Sequence, residues 1–537
     1  MCGIYTRISK NKGDSQKIEK KYKTIQVRGP DATLIKEFEM NNYYVTLVFH
    51  RLSIMGFDEK STTILENDSI FVVCNGEIYN YKELMKKYKY TPSTNSDCES
   101  IIALYKQSPG TFHKSIQQLD GYFAFFLFDL NKNVFIAARD HIGIRPLFFK
   151  ISEDTIEYAS EAKALLDNDK FDFIIRQFPN GHITIKNSNY ENIYDYTFSP
   201  DFIEWRSKPI FQHTDYETSK LMVKTLLTRA VHKRLVSDRK IGFLVSGGLD
   251  SSLVAGIASK FLNRKITTFS IGYDKNSPDL INAREVAKFL GSDHHEVLYT
   301  DEDIKKTLPE LIYALELDDI TTARASLPMY LLSKYISQNT DIKVIFSGEG
   351  ADELYGGYLY MQNAPNFDEF QKESDFLVDN LKYFDVLRAD RTTARWGLEI
   401  RVPFLDTDHY NFVSGLDPVH KLTYPEKRLL RDAFRGENLI PDSILNRKKE
   451  AFSDGVGSGS VQTLKRMAKE SSEFENLKVD LPDYIEKPQT PEAKMYHSIF
   501  RRHFPYFNHR QFYWMPKWSP EFNGDPSATV LKVYNQK

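Results

Sequence analysis

The sequence predicts two domains of different class: an α+β domain over residues 1–205 and an α/β domain with a parallel sheet over residues 206–537. Three observations carry this. Short runs rich in β-branched and aromatic residues recur up to about Pro200. Between about Lys186 and Pro209, Asn, Tyr, Ser and Pro accumulate and periodicity is lost, which marks a linker. Beyond it, strand-like runs alternate with helical patterns, as in a parallel sheet wrapped by helices. The length of 537 residues agrees, since domains run to roughly 100–200 residues each.

In the first domain the strand runs are Tyr43–Phe49, Ser69–Cys74, Tyr122–Asp129 and Val134–Ala138. Helical spacing over Tyr81–Tyr88 and about Glu99–Lys106 places helices outside stacked sheets. The Lys-rich stretch Lys10–Lys23 reads as a solvated face. The second domain opens on a capping box, Thr214 with Glu217, ahead of apolar Leu221, Leu226, Leu227 and Ala230. Strand Lys240–Val245, helix Ser252–Phe261, strand Lys265–Ile271, helix Leu280–Leu290, strand His295–Tyr299 and strand Ile342–Phe346 follow. After Leu354 the pattern is mainly helical. In such a sheet, ligands gather at the carboxyl ends of the strands.

Lys plus Arg number 71 and Asp plus Glu 73, so a net charge of −2 gives no reason to expect nucleic acid. No run approaches the roughly 18 apolar residues of a membrane span, and the start has no signal core. A cytoplasmic location is expected. The three cysteines, Cys2, Cys74 and Cys98, are too few for a disulfide framework or a zinc site. Cys74 and Cys98 are expected to be inert buried thiols.

Cys2 differs, because loss of Met1 would make it the chain terminus. It would then carry a thiol and an α-amine of pKa about 7.7–8.0, a nucleophile with its own base. Attack on a carboxamide also needs an oxyanion site. The Asn75 side-chain amide and the Gly76 N–H offer one, following the strand run that ends at Cys74. Arg51 can grip an α-carboxylate bidentately, while Glu77 and Asp97 can receive an α-ammonium. Met1-Cys2-Gly3-Ile4, Arg28-Gly29-Pro30-Asp31, His50-Arg51-Leu52-Ser53-Ile54, Asn75-Gly76-Glu77-Ile78-Tyr79-Asn80 and Ser96-Asp97 resemble a class II glutamine amidotransferase domain. That resemblance implies the N-terminal-nucleophile hydrolase sandwich, with Cys2 forming a glutamyl thioester and releasing ammonia.

Ser246-Gly247-Gly248-Leu249-Asp250-Ser251-Ser252 sits between a strand and a helix, so its N–H groups and the helix dipole can cradle phosphate. It lacks the lysine of the P-loop motif, which disfavours that class of ATPase. Ser347-Gly348-Glu349-Gly350-Ala351-Asp352-Glu353 follows another apolar strand, so Asp250 and Asp352 can share Mg²⁺ through hard oxygens. Arg447-Lys448-Lys449-Glu450 is a basic run suited to departing pyrophosphate. The first loop resembles that of the ATP pyrophosphatases, whose adenine nucleotide alpha hydrolase-like fold is the one expected here.

Together with Arg395–Asp406, Phe452–Gly457 and Asp525-Pro526-Ser527-Ala528, these motifs resemble the glutamine-hydrolysing asparagine synthetases along nearly the whole chain. The resemblance implies glutamine, aspartate and ATP as substrates, Mg²⁺, β-aspartyl-AMP, and ammonia passed through a tunnel between domains. It implies that Glu349 takes a proton from ammonia and Lys449 offsets pyrophosphate charge. Leu244, Ile271, Ser347 and Gly348 align with adenine and ribose contacts, beside Ser246, Gly247, Gly248, Asp250 and Ser251 at the phosphates. A homodimer is expected by analogy alone.

Three positions depart from the family pattern. Ala351 stands where Ser is frequent, Asn180 where Pro is common, and Leu327 where Thr is found beside Arg324-Ala325-Ser326. Leu327 is expected near the aspartate pocket, where it bears on acceptor choice. A β-lactam synthetase relative is disfavoured because the terminal cysteine is present. Sugar and purine amidotransferases lack the Ser246–Ser252 loop, and a dead regulatory descendant is at odds with Cys2, Asp250, Asp352 and Lys449 together.

Overall fold

Alternation along the strands sorts the amino-terminal half into layers. Residues 1–152, 154–167, 175–187, 202–207, 209–449, 459–470, 488–505, 507 and 515–519 are described by a computed structural model. Glu450, the Phe452–Gly457 motif, Asp525–Ala528 and most of the linker lie outside them. Strands β1 (Gly3–Ser9), β2 (Ala32–Met40), β3 (Tyr43–Arg51), β4 (Leu65–Asn67), β5 (Ile70–Ile78), β6 (Gly121–Asp129) and β7 (Val134–Arg139) come first. They are followed by β8 (Phe148–Ser152), β9 (Thr155–Ala159), β10 (Arg176–Gln177), β11 (His182–Asn187) and β12 (Phe202–Glu204). They form two six-stranded sheets, ordered β10-β8-β9-β1-β3-β2 and β12-β11-β7-β6-β5-β4, with antiparallel pairing. Ile4 and Ile8 of β1, Val45, Leu47 and Phe49 of β3, and Phe126 and Phe128 of β6 meet in the core between the sheets. The intervening residues point the other way: Phe123, Phe125 and Leu127 pack under the helix Ser100–Gln107, and Tyr5 and Val48 face the rest of the chain.

The carboxyl-terminal half holds a five-stranded parallel sheet of β13 (Ile241–Leu244), β14 (Thr267–Gly272), β15 (Asp293–Leu298), β16 (Val344–Phe346) and β17 (Glu399–Arg401). Its order is β15-β14-β13-β16-β17, so the chain runs outward from β13 on one side and resumes at β16 on the other. That reversal opens a crevice beyond the carboxyl ends of β13 and β16. No helix among the described residues is long and apolar enough to cross a membrane.

Several elements differ from the sequence reading. Asn75-Gly76-Glu77 does not follow a strand but lies within β5, paired with Ala124, Phe123 and Tyr122. The helix after the linker is capped by Asp215, whose Oδ1 accepts from Thr218 N–H, and not by Thr214. It buries Val223 with Leu226, Leu227 and Ala230, while Leu221 is exposed. Strand β2 is an edge strand whose exposed face carries charged residues, so its run lacks the apolar pattern of the inner strands. Within Lys10–Lys23 the helix Ser15–Lys23 buries Ile18 and Tyr22, and Lys21 pairs with Glu157 and Asp167.

The two halves meet through buried charge. Arg28 donates bidentately to Asp390 at 2.7 and 2.9 Å and to Glu161 at 2.6 Å. Arg391 pairs with Glu161 at 2.9 Å and Glu316 at 2.8 Å, and Lys163 with Glu161 at 2.5 Å. Three cations and three carboxylates, all buried, thus balance. Arg28 Nε also donates to the Cys2 carbonyl at 2.9 Å.

Candidate active sites

Cys2, Arg51, Gly76, Glu77 and Asp97 share the wall of one cavity of ≈30 Å³. Cys2 precedes β1, Arg51 ends β3, and Gly76 and Glu77 ride on β5, so sheet register sets their spacing. The Cys2 Sγ accepts from Leu52 N–H at 3.4 Å. Burial pushes the thiol up to about 11, and it pushes the Met1 amine down to about 5. That amine donates to Leu398 O at 3.0 Å, so Met1 is held in the seam between the halves.

Asn75 is not among the residues of that wall. Its amide is wholly buried, and among the described residues neither Nδ2 nor Oδ1 has a hydrogen-bond partner. Such an orphan costs stability unless a ligand satisfies it. A Cβ on Gly76 would lie 2.2 Å from Tyr122 O, so the close approach this glycine permits is to the neighbouring strand. Arg51 donates to Met55 O, Gly56 O and Thr62 Oγ1 at 2.7–2.8 Å, which anchors its guanidinium to the loop beside the cavity. Burial raises Glu77 well above the usual carboxyl range, with Asp97 and Glu399 adding to it. Burial pushes Asp97 up to about 6 against the pull of the Ile78 N–H, 2.6 Å from Oδ2. Cys74 and Cys98 are buried as expected, yet both line this same cavity.

The second site is a cleft of ≈270 Å³ at the β13/β16 crevice. Leu244, Ser246, Gly248, Asp250 and Ser251 reach it from β13 and the loop after it. Ile271 enters from β14, and Ser347, Gly348, Glu349 and Asp352 from the segment after β16. Lys449 closes one side. Gly247 stands behind the wall at φ +71°, and a Cβ there would strike Asn282 Cβ at 2.4 Å, so only glycine makes this turn against the next helix. Ser246 Oγ lies 3.1 Å from Ser251 Oγ, which closes the loop on itself.

Glu349 is pushed up to about 7 by burial, against the attraction of Arg388, whose Nη2 donates to Oε2 at 2.8 Å. Burial also opposes the charged form of Asp352, but Lys427 and Lys449 outweigh it and hold this carboxyl below its usual range. Lys427 Nζ lies 2.6 Å from both Asp250 Oδ2 and Asp352 Oδ1, and Lys449 Nζ is 2.5 Å from Asp352 Oδ2. Asp250 Oδ1 is buried and has no hydrogen-bond partner among the described residues. Two hard carboxylates with one oxygen unsatisfied fit Mg²⁺ shared with phosphate. No larger group of His, Cys, Asp and Glu side chains suited to a metal is found among the described residues.

Sequence reasoning missed Lys427 and Arg388. Neither lies in a glycine-rich or acidic motif, and each reaches the cleft from far along the chain, Arg388 from the helix Asp385–Ala394 and Lys427 from the residue ahead of the helix Arg428–Phe434. Arg324 lines the cleft and is fixed by Glu492 at 2.8 and 2.6 Å. Leu327, expected near the acceptor pocket, is instead a core residue, 1% exposed and not among the residues of the cleft wall. The helix Ile320–Asn339 turns residues 324 and 325 to the cleft and 327 away from it. Asn180 joins the halves, donating to His141 O and accepting from Lys382.

A family profile described as a glutamine amidotransferase domain matches residues 1–193. One described as asparagine synthase matches residues 222–375 and 363–525. The chain is 40% identical to asparagine synthetase (glutamine-hydrolyzing) of Rattus norvegicus and of Homo sapiens, each alignment covering 99% of both proteins. It is 38% identical to a probable asparagine synthetase (glutamine-hydrolyzing) of Acanthamoeba polyphaga mimivirus, over 94% of this chain and 95% of that one.

Proposed function

The chain belongs to the glutamine-hydrolysing asparagine synthetase family, and we propose that its two cavities divide glutamine-dependent asparagine synthesis between them. The observation that carries this is the pairing of a cysteine cavity on the antiparallel sheets with a looped, acidic cleft at the reversal of the parallel sheet.

In the first cavity Cys2, freed of Met1, attacks the glutamine carboxamide, and its α-amine takes the thiol proton. Gly76 N–H and the Asn75 amide receive the oxyanion. Glu77 and Asp97 receive the α-ammonium, and Arg51 the α-carboxylate. The Cys2 α-ammonium passes that proton to the departing nitrogen, so ammonia leaves as the glutamyl thioester forms, and water then releases glutamate and restores the thiol. The buried seam between the halves keeps ammonia from bulk water, where it would protonate and lose its nucleophilic lone pair.

In the cleft Leu244 and Ile271 pack the adenine, and the Ser246–Ser251 loop receives the phosphates of ATP. The aspartate side-chain carboxylate attacks the α-phosphorus, and pyrophosphate departs toward Lys449. Asp250 and Asp352 would hold Mg²⁺, which would supply neutralisation of phosphate charge. Ammonia attacks the β-aspartyl carbonyl, Glu349 takes its proton, and AMP leaves with the bond electrons. A value near 7 suits that exchange, since a base poised close to the working pH both accepts and returns a proton. The reading includes a homodimer in the cytoplasm, checked by light scattering and fractionation.

Incubating the processed protein with glutamine, ATP, Mg²⁺ and each of several candidate acids, then weighing the amidated product, tests the assignment. Asparagine, AMP and pyrophosphate are expected with aspartate. Formation of ADP and phosphate, or preference for another acid, overturns it.

A further inference from the structure

The acidic pair in the cleft already holds a cation of the protein's own. Lys427 Nζ sits between Asp250 and Asp352 at 2.6 Å from each, and the residue is 2% exposed. Its backbone takes φ +56°, an uncommon conformation for a non-glycine residue, at the start of the helix Arg428–Phe434. The neighbouring chain is cut back to admit it: a Cβ on Gly357 would come 2.0 Å from Lys427 Cε and 2.1 Å from Asp352 Oδ1. A left-handed lysine and a facing glycine therefore serve one ammonium position. A divalent ion bridging the same two oxygens, Asp250 Oδ2 and Asp352 Oδ1, would compete for that position.

We propose that Lys427 is a built-in counter-cation that bars a divalent ion from Asp250 and Asp352 until nucleotide phosphate draws its ammonium away, so that metal enters with the nucleotide and not ahead of it. The inference rests on the nucleotide-site reading above. A dication seated between the aspartates would join the ammoniums of Lys427 and Lys449 that already touch Asp352, and like charges a few ångströms apart repel strongly where water is scarce, so the ion and the Lys427 ammonium compete. Phosphate oxygens give the ammonium a new partner on its flexible four-carbon stem, and the ordinary consequence is exchange. Lys427 is in this sense a positioning residue, since it acts through the two aspartates.

The test is Mn²⁺ binding to the full chain, read without substrates from loss of the free-ion electron paramagnetic resonance signal, and with ATP from the Mn²⁺ retained with the protein on rapid ultrafiltration beyond an ATP-only control. Wild-type protein is expected to bind Mn²⁺ weakly alone and tightly with ATP. K427M, which keeps the stem and loses the charge, is expected to bind Mn²⁺ without ATP at least tenfold more tightly than wild type. K427Q replaces it should the methionine variant not fold. K427R keeps a cation and is expected to behave as wild type, and adding D250N to K427M should return binding to the weak level. Equal ATP-free binding by wild type and K427M overturns the proposal, as does an equal gain in K427R. If ATP brings no Mn²⁺ to wild-type protein, the nucleotide-site reading itself fails.

Discussion

Replacing Asp390 with Asn removes one charge from a seam that is otherwise balanced. Arg28, Lys163 and Arg391 face Glu161, Glu316 and Asp390, with relative exposures of 0, 7 and 1% for Arg28, Lys163 and Arg391. After the substitution three buried cations share two carboxylates, and Arg28 loses the partner it grips twice, at 2.7 and 2.9 Å. Breaking a buried pair from one side costs about 3–5 kcal/mol, because the remaining charge stays desolvated. That is a large part of the roughly 5–15 kcal/mol that holds a folded protein together. Urea unfolding, followed by fluorescence on wild type and variant, measures the loss. The double variant Arg28→Met with Asp390→Leu restores balance at two cations against two acids, so most of the stability is expected to return. Glutaminase activity is not expected to return with it, because the double variant also lacks the Arg28 bond to the Cys2 carbonyl. A loss below about 1 kcal/mol in Asp390→Asn, or a double variant as unstable as the single one, refutes the charge-balance argument.

Cys2→Ala should abolish glutamine-dependent synthesis and leave synthesis from added ammonia intact, and equal loss of both would sink the division of labour. Asn75→Ala should lower glutaminase kcat by about 10²–10³-fold without lowering stability, since its orphaned amide is a desolvation cost in the folded state. A stability loss without a kinetic one would make Asn75 purely structural. Asp352→Asn should stop pyrophosphate release and spare glutamine hydrolysis; pyrophosphate formed at the normal rate would remove it from metal binding. Glu349 must be ionised to act as base, and burial pushes it up to about 7, so the synthetase rate should fall as pH drops below about 7. A glutamine-dependent rate that stays level from pH 8 to well below that value, or full activity in Glu349→Gln, argues against the role.

Much of this was legible in one dimension because the chemistry sits in short contiguous segments. Met1-Cys2-Gly3, Asn75-Gly76-Glu77, Ser246–Ser252 and Ser347–Glu353 each set their candidate groups in neighbouring residues, and a loop at the end of an apolar strand has its place in a parallel sheet settled by topology. Errors fell where a face had to be chosen. Leu327 is three residues from Arg324, yet the helix turns one to the core and the other to the cleft. Asparagine and glycine at 75 and 76 suggest a turn beyond the strand, while pairing with β6 keeps the segment extended.

The linear order of residues by itself determined the two fold classes and offered Cys2, the glycine-rich loop and the acidic pair as candidates, because periodicity and local motifs depend on near neighbours along the chain. Only the tertiary structure decided that Lys427 stands between Asp250 and Asp352, that Arg388 holds Glu349, and that Arg28 ties Cys2 to Asp390. Those contacts join residues 26 to 362 positions apart. They exist because burial forces each charge to find an opposite one in space, wherever along the chain it comes from.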